Sequence, residues 1–286
     1  QHPTLPLLVT TTTPTGSARV RTVLGDSVEH VYLPYDLPDV IGRFLRAFKP
    51  KMAVILETEI WPNIYQACLA NKFDLSVEDT VLSQGNKLKK HLFENRFVFL
   101  AASTHEGEEA LLLTCYKTIK KSIPNLILAI APRHPERFHR VEMLVKNAPL
   151  QVIKRTSQAC CHDNVDVFLI DTLGELKLFY ASADVAFVGG SFVAVGGHNL
   201  LEPAAVGVPI LVGTDVNNIT FIVDELVSAQ AAIQCETVAQ LDAKIIELYE
   251  QPQLRHQLIT NAKHVVAKNQ GATQRIYHLL NLQSVT

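Results

Sequence analysis

The chain has 286 residues, of which 48% are apolar and 19% are charged, and its formal net charge is −2. This composition excludes a disordered chain and a highly charged coiled coil, and the charge excludes the basic field that attracts nucleic acid. No apolar run reaches the ~18–20 residues that a membrane-spanning helix needs. The five cysteines lack metal-ligand spacing, which predicts reduced, structural thiols.

Short apolar runs alternate with helical patterns from the start of the chain. The predicted strands are Leu5–Thr11, Val28–Leu33 and Ala53–Glu57, and the predicted helices are Gly16–Leu24, Pro38–Phe48 and Pro62–Leu69. This β-α rhythm predicts a parallel sheet. Three strands are fewer than the five or six of a usual sheet, so residues 1–70 are interpreted as an incomplete α/β domain. Residues 71–96 are polar, which predicts a linker with one short helix.

The rhythm restarts at residue 97 and predicts a complete doubly wound α/β domain over residues 97–286. The predicted strands are Phe97–Ala102, Leu126–Ala131, Gln151–Ile153, Val165–Ile170, Val185–Gly189, Pro209–Val212 and Ala231–Gln234. The predicted helices are Thr104–Lys121, Glu136–Lys146, Leu173–Ser182, His198–Val206, Ile219–Ala229, Val238–Gln251 and Pro252–Asn269. Ligands of open parallel sheets bind beyond the carboxyl ends of the strands, so the residues after these strands form the candidate site.

Two polar segments follow predicted strands of this second domain. Pro132 and Arg133 begin a turn that two prolines stiffen, where the Arg133 guanidinium can reach an anion at the next helix start. Gly174 permits close approach of a ligand to the backbone, and Glu175 lies in the first turn of a predicted helix. Each segment is also compatible with an ordinary capped surface turn.

A third segment carries two pairs of glycines, at residues 189–190 and 196–197, around one strand-to-helix turn. Their backbone amides can form a nest around a phosphate or a sugar. His198, Asn199 and Glu202 are predicted on the first helical turn, where the Glu202 carboxylate suits the vicinal hydroxyls of a ribose. The alternative is a glycine-rich turn with a structural cap. The spacing matches neither the dinucleotide-binding fingerprint nor the P-loop, and metal-site motifs are missing.

Two segments of the first domain also carry candidate groups. Residues 10–17 follow a strand and offer hydroxyls and a glycine backbone to an oxyanion or a sugar, or they form a threonine-rich strand end with a cap. Glu57 and Glu59 close a buried strand and lie on the same side of it. Two carboxylates at the end of a sheet cost free energy unless they serve a function, which favours a functional role over a structural one.

Together these segments resemble one family. The motifs T-T-T-P-T-G-S, Y-L-P-Y-D-L-P, E-T-E-x-W-P-N, S-T-H-E-G-E-E, P-R-H-P-E-R, D-T-x-G-E-L and V-G-G-S…G-G-H-N-x-L-E-P follow the order that they have in the 3-deoxy-D-manno-octulosonic acid (Kdo) transferases. The resemblance covers nearly the whole chain. It implies the two-domain GT-B glycosyltransferase fold, CMP-Kdo as the donor substrate without a further cofactor or metal, and a lipid A precursor as the acceptor. It also implies action at the cytoplasmic face of the bacterial inner membrane in lipopolysaccharide biosynthesis.

The resemblance also implies site residues. Those of the CMP site are Pro132, Arg133, Leu173, Gly174, Glu175, Asn199, Leu200, Leu201 and Glu202. Leu173 departs from the methionine that is common in the family, although a backbone contact would survive this change. Glu57 and Lys72 match the family's stabilisers of the transition state, and for Lys72 the assignment rests on the resemblance alone.

Two departures from the family pattern lead to a further expectation. The family has an N-terminal membrane-anchoring stretch and an S-V-G-E segment whose glutamate is the general base, and neither matches residues before Thr10. A long section with an N-A-R-L-S stretch also has no counterpart between Ala70 and Asn71. The expectation is a truncated or internally deleted chain, soluble as a fragment, that binds the donor and transfers little or no Kdo. A nucleotide-binding module without turnover and a sugar-nucleotide epimerase of GT-B shape are the alternatives.

Overall fold

The structure is a computed structural model that describes residues 7–11, 14–32, 47 and 79–269. The chain divides into two compact units, Gln1–Glu57 and Thr58–Thr286. In the described part of the first unit, strands β1 (Leu8–Thr11) and β2 (Glu29–Tyr32) pair in parallel, and helix α1 (Pro14–Leu24) lies between them in the chain. The predicted β-α-β start is therefore confirmed, whereas the elements predicted over residues 38–69 lie outside the described residues.

The second unit contains a parallel sheet of seven strands in the order β5-β6-β4-β3-β7-β8-β9. These strands are β3 (Phe97–Thr104), β4 (Leu126–Pro132), β5 (Val152–Lys154), β6 (Val167–Leu169), β7 (Val185–Val188), β8 (Ile210–Val212) and β9 (Ala232–Gln234). The helices are α2 (Asp79–Leu92), α3 (Glu108–Ile119), α4 (Phe138–Asn147), α5 (Leu176–Ser182), α6 (Leu201–Val206), α7 (Thr220–Ser228), α8 (Val238–Glu250) and α9 (Pro252–Asn269). All seven strands predicted for this part of the chain are present, and the predicted α/β doubly wound architecture is confirmed.

The strand order reverses direction between β3 and β7. On one side of β3 lie β4, β6 and the edge strand β5, and from β7 the chain builds outward through β8 and β9 on the other side. In open parallel sheets such a reversal opens a crevice at the carboxyl ends of the two strands, because their following loops turn to opposite faces. The fold therefore places the segments after β3 and β7 at the position where ligands of such sheets bind.

Strand β3 lies at the centre of the sheet and connects the two layers of core. Its first six residues are all buried and apolar, as expected for a strand covered on both faces. Phe99 packs with Tyr116 of α3 and Ile245 of α8 on one face, and Leu100 packs with Phe179 of α5 on the other. This double burial fixes β3 and thus the position of the polar residues that follow it.

The segment predicted as a linker, residues 71–96, is described from residue 79 onward. There it forms the 14-residue helix α2, longer than the short helix predicted, and it packs closely on α5 of the larger unit. Leu92 and Phe93 are buried in the core, and the Phe93 ring meets that of Phe168 edge to face at a centroid distance of 5.2 Å. Apolar residues on one face of α2 explain this docking, which the polar composition of the segment conceals.

Three predicted helices begin three or four residues later than the sequence pattern indicates. Helix α3 begins at Glu108 rather than at residue 104, α5 begins at Leu176 rather than at residue 173, and α6 begins at Leu201 rather than at residue 198. Gly196 and Gly197 have positive φ angles of 96° and 81°, which keep the chain out of the helical conformation before α6. His198 and Asn199 consequently lie in a loop, and Glu202 is the residue that occupies the first helical turn.

Candidate functional site

A cavity of about 110 Å³ lies at the carboxyl ends of β3, β4 and β6. Four residues of the predicted CMP site line it, namely Pro132, Arg133, Leu173 and Gly174. The side chain of Leu173 is 67% exposed, so an apolar surface faces solvent at the rim of the cavity. Ser103 at the end of β3 lines the cavity as well, with a positive φ of 54°. A non-glycine residue in this conformation is strained and is common at ligand sites.

Arg133 brings a cation to the rim of this cavity. Its backbone N–H donates to the carbonyl of Thr104, which ties the turn after β4 to the end of β3. The guanidinium is exposed and makes no hydrogen bond or ion pair with any residue that the structure describes. It is therefore available to an anionic ligand, as the sequence predicts.

The resemblance implies that Glu175 belongs to the CMP site. In the structure its carboxylate is hydrogen-bonded to other side chains of the protein. Arg155 donates to both of its carboxylate oxygens, at 3.2 and 2.8 Å, and the Thr172 hydroxyl donates at 2.5 Å. Burial alone would raise the pKa of Glu175, but these hydrogen bonds hold it below its usual value. The carboxylate thus stays charged and fixes the loop after β6, which orients Leu173 and Gly174 at the cavity.

The first glycine pair does not present a free nest to a ligand. The carboxylate of Glu108 is fully buried and accepts hydrogen bonds from the backbone N–H groups of Gly190, Ser191 and Phe192, at 2.8, 3.1 and 3.1 Å. It also accepts one from the N–H of His105 at 2.9 Å. The prediction that this backbone binds a phosphate is therefore wrong for this conformation, because a side-chain carboxylate already occupies the nest.

The next residue, Glu109, forms a second buried anchor. Arg137 donates to both of its oxygens, at 2.6 and 2.9 Å, and the hydroxyl of Thr104 donates at 2.8 Å. Glu109 is 1% exposed, and its contact with Arg137 joins α3 to the turn that carries Arg133. The two adjacent acids after β3 therefore hold the loops on either side of the strand reversal.

In the segment from Asn199 to Glu202, the Asn199 side chain has a structural role, and the Glu202 carboxylate is available to a ligand. Oδ1 of Asn199 accepts a hydrogen bond from the N–H of Leu201 at 2.8 Å, which forms an Asx turn just before α6. Leu200 is buried, and Leu201 begins α6 beside it. The Glu202 carboxylate makes no hydrogen bond or ion pair with the residues that the structure describes, although its charge contributes to the raised pKa of buried Tyr180. None of the four lines the cavity beside Arg133.

Three histidines meet beside these loops, and we call His105, His134 and His198 the histidine cluster. The ring of His105 stacks on that of His198 with a centroid distance of 4.9 Å, and it meets His134 edge to face at 5.4 Å. The Nε2 atoms of His105 and His198 are 2.7 Å apart. Within the described ranges, no group of three or more His, Cys, Asp or Glu side chains is arranged to hold a metal ion.

Sequence reasoning missed Ser103, His105 and Glu108 as separate site residues. All three belong to the S-T-H-E-G-E-E motif, which begins at the end of the central strand β3. A polar run directly after a central strand is a signal that could have identified them. Glu57 and Lys72, the predicted catalytic residues, lie outside the described residues, so their positions stay predictions.

Comparison with known proteins gives two matching family models. One, described as 3-deoxy-D-manno-octulosonic-acid transferase (kdotransferase), matches residues 1–112. The other, described as glycosyl transferases group 1, matches residues 83–265. The two models together extend over both compact units.

Similar proteins include the 3-deoxy-D-manno-octulosonic acid transferases of Haemophilus influenzae and Bordetella pertussis. The first is 33% identical over 343 positions, which cover 98% of this chain and 80% of the relative. The second is 27% identical and covers 95% of this chain and 79% of the relative. The 343 positions exceed the 286 residues of this chain, so the Haemophilus protein has residues within the aligned range that have no counterpart here.

Two solved structures extend the comparison. The C-terminal CMP-Kdo binding domain of WaaA from Acinetobacter baumannii is 34% identical, with a TM-score of 0.62 over 66% of this chain and 99% of that domain. A glycosyltransferase from Rickettsia africae covers 98% of this chain and 91% of its own, with a TM-score of 0.59 and 11% identity. The second likeness concerns the fold alone.

Proposed function

Because this chain belongs to the Kdo transferases, which have the GT-B glycosyltransferase fold, we propose that it transfers Kdo from CMP-Kdo to a lipid A precursor in lipopolysaccharide biosynthesis. The observation that supports the donor most directly is the cavity lined by Pro132, Arg133, Leu173 and Gly174 at the carboxyl ends of the parallel strands. The Acinetobacter domain that resembles this part of the chain is a CMP-Kdo binding domain.

The arrangement of the cavity suggests how a cytidine nucleotide would bind. The exposed face of Leu173 offers an apolar surface to a base, and Gly174 permits close approach to the backbone. Arg133 offers a guanidinium to the phosphate. Glu202 lies outside the cavity, in the first turn of α6, and offers a carboxylate to the ribose hydroxyls. Glu175 acts indirectly, because its contacts with Arg155 and Thr172 hold the loop that carries Leu173.

The proposed reaction is an inverting displacement at the anomeric carbon of Kdo. A carboxylate takes the proton from the acceptor hydroxyl, the new glycosidic bond forms, and the bond to the CMP phosphate breaks. Arg133 would balance the charge that develops on the departing phosphate. Glu57 and Lys72 remain the proposed stabilisers of the transition state on the resemblance alone.

The proposed acceptor is a lipid A precursor, and the resemblance to the family implies that the reaction takes place at the cytoplasmic face of the inner membrane. A search of the described residues finds no helix with the length and apolar character to cross a membrane. The membrane location therefore rests on the family and on the chemistry of the acceptor.

A titration of the purified chain with CMP, UMP and AMP tests the donor assignment. We expect the tightest binding for CMP, because the same cavity must select the base of the donor. The test variant is Arg133→Gln, which removes the cation at the cavity. The matched control is Arg140→Gln, which removes an exposed arginine paired with exposed Glu106. Equal affinity for the three nucleotides would contradict the donor assignment.

We further propose that this chain binds the donor but transfers little or no Kdo. The residues that the Haemophilus relative has within the aligned range, and that are lacking here, support a binding module with little transfer. The test is a transfer assay with CMP-Kdo and a detergent-solubilised lipid A precursor, with the Haemophilus enzyme as the reference. Turnover equal to that of the reference would reject the proposed loss of activity and leave the donor assignment intact.

A further inference from the structure

The pair formed by His105 and His198 lies where the strand order reverses. His105 follows β3, and His198 lies in the loop after β7, the two neighbouring strands whose loops turn to opposite faces. Gly190 makes room for this arrangement, because a Cβ atom there would lie 3.2 Å from Nε2 of His198. The pair therefore occupies the crevice in which ligands of doubly wound sheets bind.

The distance between the rings restricts their charge. Two Nε2 atoms 2.7 Å apart can share one hydrogen, with one ring donating and the other accepting, whereas two N–H groups would collide. Burial lowers the pKa of His198 to about 4 and also lowers the pKa of His105. In the free protein at neutral pH the pair is consequently uncharged, and the Nε2 that accepts the shared hydrogen carries no proton of its own.

The charged neighbours of the pair leave room for an anion. His198 faces Arg133 and His134, whereas His105 faces His134, Arg137, Glu108 and Glu109. The two acids are committed elsewhere, since Glu108 accepts four backbone N–H groups and Glu109 is paired with Arg137. Arg133 has no such partner among the described residues, so a positive group and two imidazoles face the crevice, and the two acids that act on His105 are already paired.

We propose that His105 and His198, together with Arg133, bind the anionic group of the donor, and that the histidine pair takes up one proton when the anion binds. The proton comes from solvent and binds the accepting Nε2, which breaks the hydrogen bond between the two rings and changes that atom from an acceptor into a second donor. Both N–H groups can then turn from each other to the anion. The inference rests on the proposed donor and extends it to two residues and to a linked proton.

Two parts of the donor carry the required charge, the phosphate of the nucleotide and the carboxylate of the acid sugar. Calorimetric titration with CMP, cytidine and free Kdo between pH 5.5 and 8 separates them. One linked proton makes the dissociation constant fall by up to tenfold for each pH unit of acidification. A phosphate in the crevice gives this dependence for CMP and not for cytidine, and a carboxylate gives it for free Kdo.

The matched variants are His198→Gln and the control His139→Gln, which replaces an exposed histidine on α4. Glutamine keeps an N–H donor and cannot titrate, so His198→Gln should retain binding and lose the extra pH dependence. The ligand's own phosphate has a pKa of about 6, and its contribution cancels in the difference between parent and variant. His105→Gln serves as the second variant if circular dichroism shows that His198→Gln does not fold.

The outcomes distinguish the inference from the donor assignment. Steeper pH dependence in the parent and the His139→Gln control than in His198→Gln supports the proton-linked pair. If all three proteins show the same pH dependence, the proposed proton uptake by the histidine pair is overturned. CMP binding would then still support the donor assignment. If the parent protein does not bind CMP at any pH, the donor assignment fails, and the inference fails with it.

Discussion

The carboxylate of Glu108 accepts a hydrogen bond from the backbone N–H of Gly190, 82 positions further along the chain, at 2.8 Å. This contact joins the loop after β3 to the loop after β7 across the reversal of strand order. Because the Glu108 carboxylate is fully buried and accepts three further N–H groups, it acts in the way that a bound anion acts in other glycine-rich loops. Glu108 is therefore a positioning residue for the crevice.

Replacement of Glu108 tests this role. Glu108→Gln keeps the shape but places an NH₂ group against backbone donors, so we expect the free energy of unfolding to fall by about 2–4 kcal/mol. The matched control is Glu106→Gln, since Glu106 is two residues away, exposed, and paired with exposed Arg140. We expect about 0–1 kcal/mol for the control. Equal denaturation midpoints for the two variants would show that the buried hydrogen bonds contribute nothing.

The contact between α2 and α5 gives a second prediction. Gly85 is buried in α2, and a Cβ atom on it would overlap the Cβ of Ala181 in α5. Alanine normally stabilises a helix relative to glycine by about 1 kcal/mol, but here the overlap forces the helices apart. We expect Gly85→Ala to lower the melting temperature and Asn86→Ala, on the exposed side of the same helix, to leave it unchanged or raise it. A more stable Gly85→Ala variant would contradict the close helix contact.

The sequence predicts the strands better than the loops, for a physical reason. Strands such as β3 and β4 are continuous apolar runs that stay buried on both faces, so local composition specifies them. The loop before α6 depends on the backbone angles of Gly196 and Gly197 and on the hydrogen bond from Leu201 to the Asn199 side chain. A helical sequence pattern conceals where this helix begins.

The occupant of the glycine nest was beyond prediction for another reason. Several acids follow β3, and nothing local indicates which of them reaches Gly190 across the sheet. The pairing of His105 with His198 likewise joins residues 93 positions apart. Such contacts follow from the order of the strands, which the sequence pattern leaves open.

Acid should destabilise the free protein through His198. Its pKa is about 4 in the folded chain because of burial, against about 6.5 for an exposed histidine, so the unfolded chain binds more protons between these values. Stability contributed by this residue is therefore present above pH 6.5 and is lost as the pH falls towards 4. We expect the loss to be on the order of 2 kcal/mol. His198→Gln should show a flatter dependence of melting temperature on pH, and identical profiles would contradict the assigned burial effect.

The ribose contact gives the last prediction. The Glu202 carboxylate lies in the first turn of α6 and makes no hydrogen bond or ion pair with the described residues, so its removal should leave the fold intact. We expect Glu202→Ala to weaken CMP binding by about 1–3 kcal/mol, because ribose hydroxyls would lose their acceptor in a partly buried site. Glu202→Gln keeps one acceptor and should cost less. Glu250→Ala, at the exposed end of α8, is the control and should bind CMP like the parent. A folded Glu202→Ala variant with parental affinity for CMP would show that Glu202 serves only the helix turn. Reduced affinity for both CMP and cytidine, to the same extent, would place its contact on the nucleoside and away from the phosphate.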